Sequence, residues 1–72
     1  MAKRGKREEK IRINSKNVSL NDFEWLISQY GKIKKGGNHP QAVIEKRVFP
    51  YRRTNPIRPP YVEKLLEIID SL

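Results

Sequence analysis

Two stretches with the apolar spacing of a helix bracket a middle stretch whose spacing falls towards two, and this change of period constrains the fold most. In the first stretch Leu20, Phe23, Leu26, Ile27 and Tyr30 recur at helical intervals, so one stripe faces a core. Ser19 stands ahead of it as a hydroxyl cap, and Asp22 and Glu24 fall where the positive end of a helix favours carboxylates. Gly31 is expected to end this helix in a left-handed conformation. In the last stretch Tyr61, Leu65, Ile68, Ile69 and Leu72 repeat likewise, widened by Val62 and Leu66, and Pro60 suits a first helical turn. Between them lie Ile33, then Ala42-Val43-Ile44, then Val48-Phe49, separated by Gly36-Gly37 and by Glu45-Lys46-Arg47. This pattern predicts three short antiparallel strands, with Pro40 and Pro50 at strand ends or the sheet edge because proline cannot donate to a ladder. The expected class is α+β, in the order α-β-β-β-α, with two helices packed on one face of a three-stranded antiparallel sheet.

A chain of 72 residues holds one modest core, which excludes large multi-domain enzymes. Residues 12–72 are expected to form that single domain. Residues 1–11 mix Lys, Arg, Gly and Glu without apolar periodicity and are expected to be a basic, disordered tail, while Val18 is expected to fold back on the domain. With no Cys there is no disulfide framework, thiolate zinc site or cysteine nucleophile, and a single His builds no multi-His site, so neither metal nor cofactor is expected. No apolar run approaches the roughly 18 to 20 residues that cross a bilayer. The basic start is followed by acids and not by an apolar signal core, from which a cytoplasmic location is expected.

The net charge of +8 is segmented: residues 1–18 carry +5 and residues 32–58 carry +7, whereas 19–31 and 59–72 each carry −2. A basic centre of this kind points to a polyanion, with nucleic acid first and an anionic membrane well behind, so that no membrane partner is expected. Within it His39 stands in Gly36-Gly37-Asn38-His39-Pro40, between two basic strand segments. An imidazole titrates near neutrality, so it takes the proton from a ribose 2′-hydroxyl or gives one to a leaving oxygen without a metal. The competing assignment for His39 is a turn residue whose ring makes a hydrogen bond. Lys34, Lys35, Arg47, Arg52 and Arg53 are candidates for phosphate contact, the alternative being a solvated, charge-protected sheet edge. Lys46 is assigned to a solvated turn. Tyr51 is weighed as a base-stacking or proton-transfer residue against half-buried packing. Trp25 lies off the helical stripe and covers a groove edge, a partner surface or the N-terminal segment.

Asn17-Val18-Ser19-Leu20-Asn21-Asp22-Phe23, Leu26-Ile27 ahead of Tyr30-Gly31, the Gly37-Asn38-His39 turn, and Pro59-Pro60-Tyr61-Val62-Glu63-Lys64-Leu65-Leu66 together resemble the HicA toxins of bacterial HicA–HicB toxin–antitoxin pairs. The likeness spans about residues 12–72. The family turn usually reads Gly-Ser-His with an aromatic soon after; here Asn38 replaces the Ser and the aromatic is missing. The resemblance implies a double-stranded-RNA-binding-like fold and a metal-independent mRNA endonuclease that blocks translation. It also implies a chain monomeric when free, neutralised in a hetero-oligomer by a HicB-type antitoxin covering the site. On this reading His39 is the catalytic base or acid, Lys34, Lys35, Arg52 and Arg53 contact phosphate, and Asn38 positions the turn. The rivals are a non-catalytic RNA-binding module of the same fold and a small protein that docks on an acidic partner.

Overall fold

The structure, a computed structural model, describes residues 2–72, with side chains from Gly5 onward. Its elements run α1 (Ala2–Ile13), α2 (Leu20–Tyr30), β1 (Lys32–Lys34), β2 (Gln41–Ile44), β3 (Arg47–Pro50) and α3 (Pro59–Asp70). The class is α+β, with a three-stranded antiparallel sheet in the order β1-β2-β3.

Helix α2 starts where the hydroxyl cap places it: Asp22 donates its backbone N–H to Ser19 Oγ at 3.1 Å, and Leu20 donates its own to Asn55 Oδ1 at 3.2 Å. Its stripe of Phe23, Leu26 and Ile27 is buried, and the helix lies against β1 and β2 with α3 beside it. Gly31 ends α2 by donating its N–H to the Ile27 carbonyl at 2.7 Å, but its φ of −165° is extended, not left-handed. The chain passes directly into β1 there, so the need for glycine comes from the crowding of β2 and not from a left-handed cap.

The strand register sets two faces. Ile33 pairs with Ala42, and Ala42 with Phe49, on the side towards the helices, where Ala42, Ile44 and Phe49 are buried. Lys32, Lys34, Gln41, Val43 and Val48 belong to the other, open side. Pro40 and Pro50 stand at strand ends, as expected, and Tyr51 continues the pairing by donating its N–H to the Pro40 carbonyl at 3.1 Å. Glu45 and Lys46 form a two-residue hairpin turn, with Glu45 at φ 54°.

Helix α3 opens on Pro59 and Pro60, whose missing N–H groups cost nothing in a first turn. Val62, Leu65, Ile68 and Ile69 bury its inner face, each contributing roughly 1.5 to 3 kcal/mol of transfer free energy. Leu72, grouped with this stripe in the sequence, lies past the helix end and is exposed. Val18 does fold back: it pairs with Ile57, whose N–H reaches the Val18 carbonyl at 2.8 Å, and both side chains are buried.

The largest departure is at the N-terminus. The segment expected as a disordered tail is helical, and α1 adds Ile11 to the same core; Met1 lies outside the described residues. A helix of this length is marginal alone, so its contacts hold it. Glu8 and Arg12 pair one turn apart, at 2.9 Å. Arg12 also grips Asp70 with a parallel fork, at 2.8 and 3.2 Å, tying α1 to the end of α3. Tyr30 donates its hydroxyl to Glu8 Oε1 at 2.6 Å. Arg7 bonds Asp22 Oδ1 at 2.9 Å while its guanidinium sits over the Trp25 ring, 4.4 Å from the centroid. Trp25 therefore covers the N-terminal segment. Among the described residues no helix is long and apolar enough to cross a membrane.

Candidate functional site

The connection between β1 and β2 leaves the sheet at Lys35 and returns at Pro40. Gly37, at φ 68°, turns it through a left-handed backbone conformation that a side chain disfavours. This places Lys35, Asn38 and His39 around a shallow depression of about 180 Å³, whose remaining walls are Gly36, Gly37, Pro40 and Arg53. His39 is exposed, and among the described residues its ring makes no hydrogen bond and no ion pair. That removes the assignment of His39 as a turn histidine held by its own hydrogen bond.

Arg53 reaches the depression from the segment after β3 and is held from behind. Its Nε donates to Glu24 Oε2 at 3.0 Å and its Nη2 to Glu24 Oε1 at 3.4 Å. Glu24 Oε2 also accepts the Tyr51 hydroxyl at 2.7 Å. The Tyr51 ring is buried edge-on against Phe23, with centroids 5.0 Å apart. Burial, and then the bond to the Glu24 carboxylate, push the Tyr51 hydroxyl well above its ordinary pKa. Tyr51 is thus neither a stacking platform nor a proton donor at neutral pH, because its face is packed and its proton is committed to Glu24.

The other basic candidates lie elsewhere. Lys34 is on the open face of the sheet, where with Lys32, Gln41, Val43 and Val48 it lines a wider depression of about 560 Å³. Arg52 is exposed and is not a wall of the His39 depression. Arg47 and Lys46 are solvated at the β2–β3 hairpin. Lys34 and Lys35 thus line different depressions, and of Arg52 and Arg53 only Arg53 walls the one beside His39.

Glu24 went unrecognised in the sequence beyond its place near a helix N-terminus. Its partners Tyr51 and Arg53 are 27 and 29 residues away, and no local pattern signals them. Chemically, the depression offers one exposed imidazole, one ammonium and one oriented guanidinium, a set suited to an anion that carries a hydroxyl. Among the described residues no cluster of His, Cys, Asp and Glu is placed to hold a metal ion. No family model, no curated protein and no solved structure matches this chain.

Proposed function

We propose that this protein is a ribonuclease of the HicA toxin type, cleaving RNA without a metal at the His39 depression. The observation that carries the reading is an exposed imidazole with no partner among the described residues, walled by Lys35 and Arg53. RNA supplies its own nucleophile. His39 takes the proton of a ribose 2′-hydroxyl, the 2′-oxygen attacks the adjacent phosphorus, and the 5′-oxygen leaves with a proton from the imidazolium, Lys35 or water. The products are a 2′,3′-cyclic phosphate and a 5′-hydroxyl. Lys35 and Arg53 offset the charge that builds on the phosphorane oxygens. Asn38, beside the imidazole and with no hydrogen bond among the described residues, is left to contact the RNA. Lys34 and Arg52 then belong to the approach path of the RNA and not to its reacting phosphate.

Supporting this reading is the run of helix, three strands and helix over residues 20–70, which suits the double-stranded-RNA-binding-like domain that the HicA resemblance implies. A HicB-type antitoxin that covers the depression is the partner implied with it. A second reading, an RNA-binding module without cleavage, is favoured by one observation: the depression has no second imidazole and no carboxylate wall to complete an acid–base pair.

The test incubates a long single-stranded RNA with the wild-type protein and with His39→Ala in EDTA, and follows fragment length on a denaturing gel. Cleavage by the wild type alone, ending in cyclic phosphates, is the expected result. Intact RNA in both samples, with a retained salt-sensitive shift on a native gel, would replace the ribonuclease by the binding module.

A further inference from the structure

Among the described residues, Tyr51, Glu24 and Arg53 form a buried-to-exposed polar network that ends at the candidate site, and its order is informative. Tyr51 is buried, Glu24 is largely covered, with 21% of its side chain exposed, and Arg53 is 54% exposed and walls the His39 depression. A carboxylate beside a phosphate site is unfavourable by simple Coulomb repulsion, so its presence there calls for a compensating role. Geometry supplies one. Phe23 packs the ring of Tyr51 and the next residue, Glu24, accepts its hydroxyl, so two adjacent positions of α2 fix Tyr51. The same Glu24 carboxylate then takes Arg53 through both Nε and Nη2. One edge of the guanidinium is spent on Glu24, leaving its other N–H groups for the depression.

We propose that Glu24 is a positioning residue: it orients Arg53 so that the free edge of the guanidinium contacts an RNA phosphate beside His39. This rests on the RNA reading above and adds how the phosphate contact is built. An arginine held on one edge loses less side-chain entropy when it grips a phosphate with the other, and its fork arrives in register. A free arginine on the same surface would bring the charge without the orientation. Tyr51 serves as the fixed post of the arrangement, since its burial against Phe23 sets where the Glu24 carboxylate stands.

The inference makes a prediction of opposite sign from plain electrostatics. Removing a negative charge from a basic surface should tighten RNA binding; removing a positioning carboxylate should weaken it. Binding of a fluorescent single-stranded RNA would be followed by anisotropy over a series of KCl concentrations, for wild type, Glu24→Gln, Arg53→Gln and the double variant. Glu24→Gln is expected to bind about threefold to tenfold more weakly, as for the loss of one oriented charge-assisted contact. Its log–log salt slope should be shallower by about 0.7, one single-strand phosphate contact. In the Arg53→Gln background the Glu24 substitution should weaken binding no further. The Arg53 Nε–H signal should exchange slowly with water in the wild type and quickly in Glu24→Gln, a signature that does not depend on RNA.

Glu24→Asp keeps the charge but is too short to hold Tyr51 and Arg53 together, and it should weaken binding as well; it serves if the Gln variant fails to fold. Equal or tighter binding by both folded variants, with the wild type still binding, overturns the positioning role and leaves the RNA reading standing. A wild type that shows no salt-dependent RNA binding overturns the RNA reading, and the inference with it.

Discussion

Gly31 lies so close to Val43 that a Cβ at position 31 would overlap the Val43 carbonyl oxygen and stand 2.9 Å from its carbon and 3.0 Å from the Ile44 Cα. The obstruction is backbone of the central strand, which has no rotamer to move aside. Gly31→Ala must therefore push α2 away from β2, opening the core around Ile27 and Ile44, which are fully buried. A cost of about 3 kcal/mol is expected, at the upper end of ordinary overpacking. That is a large share of the stability of so small a domain. Urea denaturation measures it, and a midpoint equal to the wild type would show that α2 docks more loosely than the contact implies.

The docking of α1 should depend on pH through Asp70. The Arg12 guanidinium, hydrogen-bonded to Asp70, holds that carboxyl below its ordinary value of 3.8 and is itself raised by the same pair. A group whose folded pKa is depressed stabilises the fold above its unfolded pKa and loses that contribution as pH falls through the folded value. Helical circular dichroism should thus fall in acid as α1 leaves α3, ahead of global unfolding. Asp70→Asn should lack this step and show a looser α1 already at neutral pH. An unchanged acid profile in that variant would remove Asp70 from the clamp.

Tyr51 predicts the opposite limb. Burial and the bond to Glu24 raise its pKa above the ordinary 10.0, so the folded state keeps a proton that the unfolded state has lost. Its contribution is complete below pH 10 and falls as pH rises beyond it. Stability measured by denaturant should decline with increasing alkalinity in the wild type and decline less steeply in Tyr51→Phe. At neutral pH the same variant should lose about 1.5 to 3 kcal/mol, the range for a hydrogen bond to a charged group. Parallel alkaline profiles for the two proteins would place the lost stability elsewhere.

The hairpin between β2 and β3 carries a correctable strain. Glu45 holds a φ of 54° in a two-residue turn, a conformation that costs a residue with a Cβ roughly 1 to 2 kcal/mol and costs glycine little. Part of that gain is lost to the greater freedom of glycine in the unfolded chain. Glu45→Gly should raise stability by about 0.5 to 1 kcal/mol, seen as a higher thermal midpoint. Glu45 and His39 stand at opposite ends of β2, so the RNA binding proposed for the His39 depression should change little.

Much of the fold was legible because its determinants are local. The Ser19 cap, the stripe of Phe23, Leu26 and Ile27, the paired glycines at 36 and 37, and the prolines that open α3 act within a turn or two of where they stand. The central histidine turn was legible for the same reason: a left-handed glycine and a basic strand end bring Lys35, Asn38 and His39 to one place with little help from the rest of the chain. The error at Gly31 has a local cause too. A glycine past a helix end is read as a left-handed cap by default, and only the approach of Val43 supplies a different reason for it.

By itself, the sequence determined the alternation of helix, strands and helix, the basic centre and the single imidazole, because period, capping and charge are properties of neighbouring residues. The tertiary structure alone decided that the N-terminal segment is a docked helix, since Arg7, Glu8 and Arg12 find Asp22, Tyr30 and Asp70 across distances that no window spans. It decided too which basic residues share a surface with His39. Arg53 joins it and Arg52 does not: Glu24, presented by α2, bonds both buried Tyr51 and the Arg53 guanidinium that walls the depression. Orientation of this kind arises when separate elements pack against one another, and only then does a list of charges become a shared surface.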